Sequence, residues 1–104
     1  MILSSGGQNI YPEEIEAKLN NMPFVAESLI VERNGKLVAL VYPDHEALDR
    51  MNITSPAERE EVFERTRKEL NSLVASYEQI SRIVLHPQEF EKTPKRSIRR
   101  FIYT

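Results

Sequence analysis

Apolar residues recur at helical spacing in two parts of this chain and form dense β-prone runs in three others. Pro12 opens the first helical segment, in which Ile15, Leu19 and Met22 lie three or four positions apart. A second helix is predicted after Ser55, because the Ser55-Pro56-Ala57-Glu58 sequence matches a capping box. Its predicted buried stripe consists of Val62, Phe63, Thr66, Leu70, Leu73 and Val74.

The β-prone runs predict a small sheet built around a hairpin. They are rich in Val, Leu and Ile and cover residues 24–32, 36–42 and 80–85. The first two runs flank Asn34-Gly35, a pair that favours a type I′ turn because both central residues need φ > 0. Both arms are apolar on both faces, so helices are expected to cover the sheet on at least one side.

The remaining segments complete the predicted fold. Residues 1–4 indicate a short strand, residues 43–54 a polar linker, and the chain after Thr93 a loop followed by a helical turn. A length of 104 residues suits one domain with a single modest core. The predicted class is α+β, with a small mixed sheet whose central β-hairpin is packed by two or three helices.

Composition excludes several functional classes. The chain is 40% hydrophobic and has no apolar run of the length that a transmembrane helix needs. It has no cysteine, which excludes disulfides and thiolate metal sites and favours the cytoplasm. His45 and His86 lie far apart without the spacing of metal ligands, so both are expected on the surface and no metal site is predicted.

Charge is distributed unevenly along the chain. Residues 1–91 carry 16 acidic and 9 basic residues, a balance of -7, whereas residues 92–104 carry 5 basic residues and no acid. This basic tail predicts contact with an anion. The anion could belong to a partner, or the tail could fold back onto the acidic body, and the sequence leaves both alternatives open.

The pair Gly6-Gly7 lies between a predicted strand and a predicted helix, where close approach of a ligand to the backbone is possible. A phosphate cradle is not expected here, because no P-loop pattern is present and three glutamates follow in the helix, Glu13, Glu14 and Glu16. A turn or a contact with a less charged ligand fits better. No nucleophile–base constellation is recognisable, so the domain alone is not expected to be a complete enzyme.

Residues 6–16 and 90–94 together resemble the small C-terminal domain of adenylate-forming enzymes, the acyl-CoA synthetases and related AMP-dependent ligases. The first segment reads Gly-Gly-Gln-Asn-Ile-Tyr-Pro-Glu-Glu-Ile-Glu and the second Phe-Glu-Lys-Thr-Pro. They lie at opposite ends, so the resemblance covers essentially all 104 residues. The Asn-Ile-Tyr-Pro sequence is most similar to long-chain fatty acyl-CoA ligases.

The resemblance implies a mobile lid, residues 1–104, attached by a hinge to a large N-terminal adenylation domain. Such enzymes use ATP and Mg²⁺ to convert a fatty acid into an acyl-adenylate, then transfer the acyl group to coenzyme A, and the lid rotates between the two steps. By this resemblance, Gly6, Gly7 and Gln8 border the pantetheine channel. The chain begins just past the expected hinge, so it is expected to be the lid alone, inactive and without a cofactor of its own.

The resemblance also implies a catalytic lysine in the tail, within a motif written roughly Lys-Thr-Pro-x-Gly-Lys-x-x-Arg. Its matching positions here are Lys92, Thr93, Pro94 and Arg100. The motif's glycine falls on Arg96 and its lysine on Ser97, which cannot supply a positive charge. Lys95 is the favoured substitute. The alternatives are that Arg96 or Arg99 substitutes, or that the parent enzyme adenylates slowly or not at all.

A different class of function uses the same residues. The chain could be a free-standing interaction module whose basic tail binds an acidic partner or a nucleic acid. The acidic body argues against nucleic acid. The lid interpretation predicts no nucleic-acid binding.

Overall fold

The computed structural model describes residues 1–4 and 6–103 and contains two small sheets. The strands are β1 (Ile2–Leu3), β2 (Asn9–Ile10), β3 (Val25–Arg33), β4 (Lys36–Pro43) and β5 (Ile80–Leu85). β1 and β2 form an antiparallel ribbon, while the larger sheet has the order β3-β4-β5, antiparallel and then parallel. Asn34 and Gly35 have φ of 55° and 77°, so the hairpin turn has the backbone that the sequence predicts.

In the described part of the chain three helices accompany the sheets, and the predicted α+β class is confirmed. They are α1 (Pro12–Leu19), α2 (His45–Arg50) and α3 (Pro56–Leu73), with 3-10 turns at Ser76–Glu78 and Arg100–Ile102. None of the helices within residues 1–4 and 6–103 is long and apolar enough to cross a lipid bilayer.

The prediction of a linker at residues 43–54 is wrong, because α2 lies within this segment. Asp44 caps this helix by accepting a hydrogen bond from the Ala47 amide at 3.1 Å, and Leu48 is fully buried. A helix of six residues that buries one leucine is too short to show a helical period in the sequence.

The larger sheet has an apolar cluster on each face, with different covers. On the helix side, Ile30, Ala39 and Val41 pack with residues of all three helices, including Ile15, Leu19, Leu48, Phe63 and Leu70. On the tail side, Leu29, Val31, Val38 and Leu40 pack with Phe90, Ile98 and Tyr103. Helices therefore cover one face, and the C-terminal tail covers the other.

The stripe predicted on α3 is partly wrong. Phe63, Thr66 and Leu70 are buried, but Leu73 is 55% exposed, because the helix ends there and Val74 is already extended. On the exposed face of α3, Arg65 lies 3.8 Å from Glu61, one helical turn away, and Arg67 pairs with Glu64. Arg67 also donates to the Ile80 carbonyl at 3.3 Å, which brings it within reach of Glu64.

The capping box of α3 gives a test of helix stability. Ser55 Oγ accepts from the Glu58 amide at 3.1 Å, and the Glu58 carboxylate accepts from the Ser55 amide at 3.3 Å. We expect Ser55→Ala to lower the free energy of unfolding in urea by about 1 kcal/mol. Ser72→Ala is the control, because Ser72 donates only to the Glu69 carbonyl within the same helix and should change little.

The capping box also makes the difference in unfolding free energy between wild type and Ser55→Ala depend on pH. Hydrogen bonds from Ser55 lower the pKa of Glu58, so their stabilisation is present above the unfolded-state pKa and is lost as pH falls through the folded-state pKa. The difference in unfolding free energy between wild type and Ser55→Ala should therefore become smaller in acid. A difference that stays constant from neutral pH to below pH ~4 would contradict this account.

Candidate functional site

The first candidate site is the glycine turn, residues 6–8, which joins β1 to β2. The Ser4 amide donates to the Gln8 carbonyl at 2.8 Å, and the Gly7 amide donates to the Ser4 carbonyl at 3.0 Å. Ser4 Oγ accepts from the Gln8 amide at 3.0 Å and donates to its side-chain oxygen at 2.7 Å. Four hydrogen bonds therefore hold this exposed turn in a defined shape.

The two glycines of the turn differ in what a side chain would encounter. Gly7 has a φ of 85°, a backbone conformation that is strained for any residue with a side chain. Space is not the restriction, because a Cβ there would meet no atom within 4 Å. Gly6 does not have this restriction. A Cβ at Gly6 would meet only the end of the Gln8 side chain, at 2.7 Å, and that side chain can move.

An open groove of about 550 Å³ runs beside the glycine turn. Gly6 and Gln8 form part of one wall, and Tyr77 and Gln79 part of another. Its buried lining includes Ile10, Leu37 and Ile80. The groove could hold an extended ligand, and the backbone of Gly6 at its edge carries no side chain to narrow it.

The second candidate site is the tail hairpin, residues 92–98. Lys92 and Ile98 form an antiparallel bridge, and the Thr93 amide donates to the Ser97 carbonyl at 2.7 Å. The Arg96 amide donates to the Thr93 carbonyl at 2.8 Å, and Arg96 has φ of 65°. A tight turn followed by a left-handed residue is a common way to close a three-residue hairpin loop, which here consists of residues 94–96.

The base of the tail hairpin is fixed to the sheet. Lys92 Nζ lies 2.7 Å from a carboxylate oxygen of Glu27, whose hydrogen bond raises the pKa of Lys92. A bulge in β3 after Val25 allows this contact, because Val25 packs on the helix side while Glu27 faces the tail. Lys92 therefore anchors the hairpin.

Aromatic packing fixes the chain on either side of the hairpin. The Tyr103 and His86 rings lie 5.0 Å and 4.8 Å from Phe90, and the Tyr103 hydroxyl accepts from the Glu91 amide at 2.7 Å. His45 and His86, both expected on the surface, are each half-buried. His45 contacts Arg59, with 2.9 Å between Nδ1 and Nη1, because the unpredicted helix α2 turns it inward.

Arg100 joins the tail to α1 and to β3. Its guanidinium donates to both carboxylate oxygens of Glu16, at 2.7 and 2.8 Å, which raises the pKa of Arg100. Glu16 is only 7% exposed and also accepts from the Ile30 amide at 2.8 Å. The sequence suggested that Glu16 is one of three helix-opening glutamates that would repel a phosphate, but its charge is instead compensated within the protein.

The structure thus divides the predicted site residues into two groups. Lys92 and Arg100 are held in internal ion pairs, so the tail does fold back onto the acidic body. Lys95, Arg96 and Ser97 lie exposed at the hairpin tip, and neither cation forms an ion pair within the described residues. None of residues 92–98 lines the groove beside residues 6–8, so we treat the two as separate candidate sites.

Sequence reasoning did not identify Glu16, Glu27 or Tyr103 as partners of the tail. Each contact joins residues far apart in the chain, 84 positions for Glu16 and Arg100, and no spacing rule connects them. The charge imbalance between body and tail was the only available signal.

A family model describes nearly the whole chain. Residues 1–103 match the family described as AMP-binding enzyme C-terminal domain. The chain belongs to this family, and it is a C-terminal domain of the AMP-binding, adenylate-forming type.

Solved structures with the same fold include larger adenylate-forming enzymes. The adenylation domain of a carboxylate reductase from Mycobacterium chelonae aligns over 98% of this chain with a TM-score of 0.82 and 19% identity. A fatty acyl CoA synthetase from Mycobacterium tuberculosis aligns over 99% with a TM-score of 0.69 and 22% identity. An acyl-CoA synthetase from Brucella canis aligns over 99% with a TM-score of 0.74 and 22% identity.

This chain spans only 17% of the Mycobacterium chelonae chain and 18% of each of the other two. In these neighbours the domain is therefore part of a larger protein. At identities below 25%, these structural alignments show a common fold.

The contact between Arg100 and Glu16 gives a second prediction. We expect Arg100→Ala to lower the free energy of unfolding by about 2 kcal/mol, because it leaves a nearly buried carboxylate without its cation. A double-mutant cycle with Glu16→Gln should show coupling of about 1 kcal/mol or more. Arg65→Ala, on an exposed pair, is the control and should cost less than ~0.5 kcal/mol. Additive effects of the Glu16 and Arg100 substitutions would contradict the proposed contact.

Proposed function

We propose that this chain, residues 1–104, is the mobile C-terminal lid of an ATP-dependent long-chain fatty acid–CoA ligase. The match of residues 1–103 to the family carries the proposal. The parent enzyme would use ATP, Mg²⁺ and coenzyme A, with a large N-terminal domain holding ATP and the fatty acid. The lid would rotate between adenylate formation and thioester formation. Its lack of cysteine suits the cytoplasm.

The groove beside the glycine turn supports a role in thioester formation. Gly6 and Gln8 are exposed at its edge, and Gly6 presents bare backbone. The pantetheine arm of coenzyme A is narrow and largely uncharged. A wall without a side chain would let this arm pass between the lid and the large domain.

Gly6→Ala tests this role with little disturbance of the fold. In the full-length enzyme we expect acyl transfer from preformed acyl-adenylate to coenzyme A to fall about tenfold or more, while ATP–pyrophosphate exchange is unchanged. Arg65→Ala, on the exposed face of α3 and outside the groove, is the control and should leave both half-reactions unchanged. Normal thioester formation by Gly6→Ala would contradict the channel role.

The backbone of the tail hairpin bears on which residue serves in adenylation. Arg96, at the motif's glycine position, has the positive φ that glycine tolerates best. This supports the gapless alignment, in which Ser97 falls on the lysine position. Lys95 remains the cation that we propose for the site, since it lies at the exposed tip and its flexible stem could bring the ammonium toward a carboxylate and phosphate.

The assignment of Lys95 is tested by ATP–pyrophosphate exchange in the full-length enzyme. We expect a loss of about 100-fold in Lys95→Ala, little change in Ser97→Ala, and none in the control Lys68→Ala on the exposed face of α3. If Lys95→Ala retains activity, Lys95 is not the catalytic group. A gain in Ser97→Lys would then indicate that this chain has lost the family's lysine.

The tail also favours the lid over a nucleic-acid-binding module. Lys92 and Arg100 are already paired with carboxylates, so fewer cations remain for a polyanion. We expect the isolated chain to turn over no ATP and to show no salt-dependent binding to RNA or DNA. Binding that weakens steeply with salt would favour the module instead.

A further inference from the structure

The outer edge of β5 presents backbone groups that no other strand uses. Within residues 1–4 and 6–103, β5 has a single neighbouring strand, β4. The His86 amide donates to the Val41 carbonyl of β4 at 2.7 Å, so Val84, two positions earlier, also faces β4. The amides and carbonyls of Ile83 and Leu85 therefore point away from β4, toward the open side.

Other positions on the two edges of this sheet do have side-chain partners. On β3, the buried carboxylate of Glu16 accepts from an edge amide at 2.8 Å. At the start of β5, Asn71 accepts from the Ile80 amide at 2.7 Å and donates to the Ile80 carbonyl at 3.0 Å. In the described part of the chain, no such partner reaches Ile83 or Leu85 from the open side. Their donors and acceptors are available to an added strand.

A groove of about 450 Å³ lies beside this open edge, between β5 and the N-terminal half of α3. Its apolar lining includes Phe63 from the helix, with Ile83 and Leu85 from the strand. Phe63 is buried, and the two strand residues are half-buried. This β5 groove shares no lining residue with the groove beside the glycine turn. An added strand would therefore find apolar surface next to the unpaired backbone groups.

The polar rim of the β5 groove is acidic. It consists of Glu60, Glu61 and Glu64, all exposed, and none of the described residues that line the groove is basic. Glu61 lies 3.8 Å from an exposed arginine, and Glu64 pairs with Arg67. Glu60 forms no ion pair within residues 1–4 and 6–103. Exposed ion pairs are weak, so the rim attracts a partner with positive charge.

We propose that the β5 edge is a docking site for an extended segment of another protein in which lysine or arginine alternates with uncharged residues. The segment would add a strand beside β5 and exchange backbone hydrogen bonds with Ile83 and Leu85. Every second side chain would then lie over the groove, with its methylene stem on the apolar lining and its charge beside the glutamates. The intervening side chains would lie beside Arg82 and Val84 on the tail side, where further positive charge is unfavourable.

A second copy of this chain fits the edge poorly. If two β5 edges paired about a twofold axis, the two acidic faces of α3 would lie next to each other on one side of the joined sheet. Like charges placed together across an interface repel, so this arrangement is disfavoured. A basic partner avoids the repulsion. The docking site uses neither residues 6–8 nor residues 92–98, and it is independent of the ligase function.

The test is an NMR titration of the ¹⁵N-labelled 104-residue chain with the capped heptapeptide Thr-Lys-Val-Lys-Val-Lys-Thr. We expect saturable shifts at Ile83 and Leu85 with a Kd of about 0.1 mM, and slower hydrogen exchange of these two amides. The Val84 amide, which already faces β4, should change little in exchange rate. The peptide Thr-Val-Lys-Lys-Lys-Val-Thr has the same composition without the alternation and should bind about fivefold more weakly. Equal binding of the two peptides, or no slowing of exchange at Ile83 and Leu85, would overturn the proposal.

Two pairs of charge variants separate the β5 groove from general attraction to an acidic protein. Glu60→Gln/Glu61→Gln should bind the alternating peptide about fivefold more weakly. Glu14→Gln/Glu69→Gln removes the same charge from exposed positions outside the groove and should bind like wild type. Equal weakening in both pairs would overturn the docking site. Sedimentation of the chain alone as a dimer with protected edge amides would also overturn it, since a second copy would then occupy the edge. Neither experiment measures ligase activity, so the two proposals can fail separately.

Discussion

The carboxylate of Glu16 is the constraint on which the arrangement of the two ends of the chain depends. It accepts one hydrogen bond from the Ile30 amide, on the outer edge of β3, and two from Arg100 in the tail. A carboxylate so deeply buried is stable only if its charge is compensated, and Arg100 provides the compensation. One side chain therefore covers a strand edge, positions α1 against β3 and fixes the tail.

Fixing the tail has a consequence for the sheet and for the candidate site. The tail covers the second face of the sheet, where Phe90, Ile98 and Tyr103 pack on Leu29, Val31 and Val38. Because both ends of the tail hairpin are anchored, only its tip is free to meet another molecule. Within one motif, then, Lys92 and Arg100 serve the fold, and residues 95–97 are presented outward.

Both candidate sites contain a residue with positive φ, but the type of residue differs. In the glycine turn the positive φ falls on a glycine, Gly7, and the neighbouring Gly6 borders an open groove. The tail hairpin accommodates the same left-handed conformation with Arg96, at some cost in strain. An arginine at such a position is compatible with folding because the hydrogen bonds between Thr93 and residues 96 and 97 close the loop.

The sequence by itself determined the local structure: α1 and α3 with their proline starts, the Asn34-Gly35 hairpin, the α+β class and the family. These features depend on residues within a few positions of each other, where spacing and turn chemistry act directly. Helix α2 and the exposure of Leu73 were missed, because each depends on how elements end or pack. Only the tertiary structure decided which charges pair. The contacts of Glu16 with Arg100 and of Glu27 with Lys92 join distant residues, and their strength comes from burial that exists only after the chain has folded.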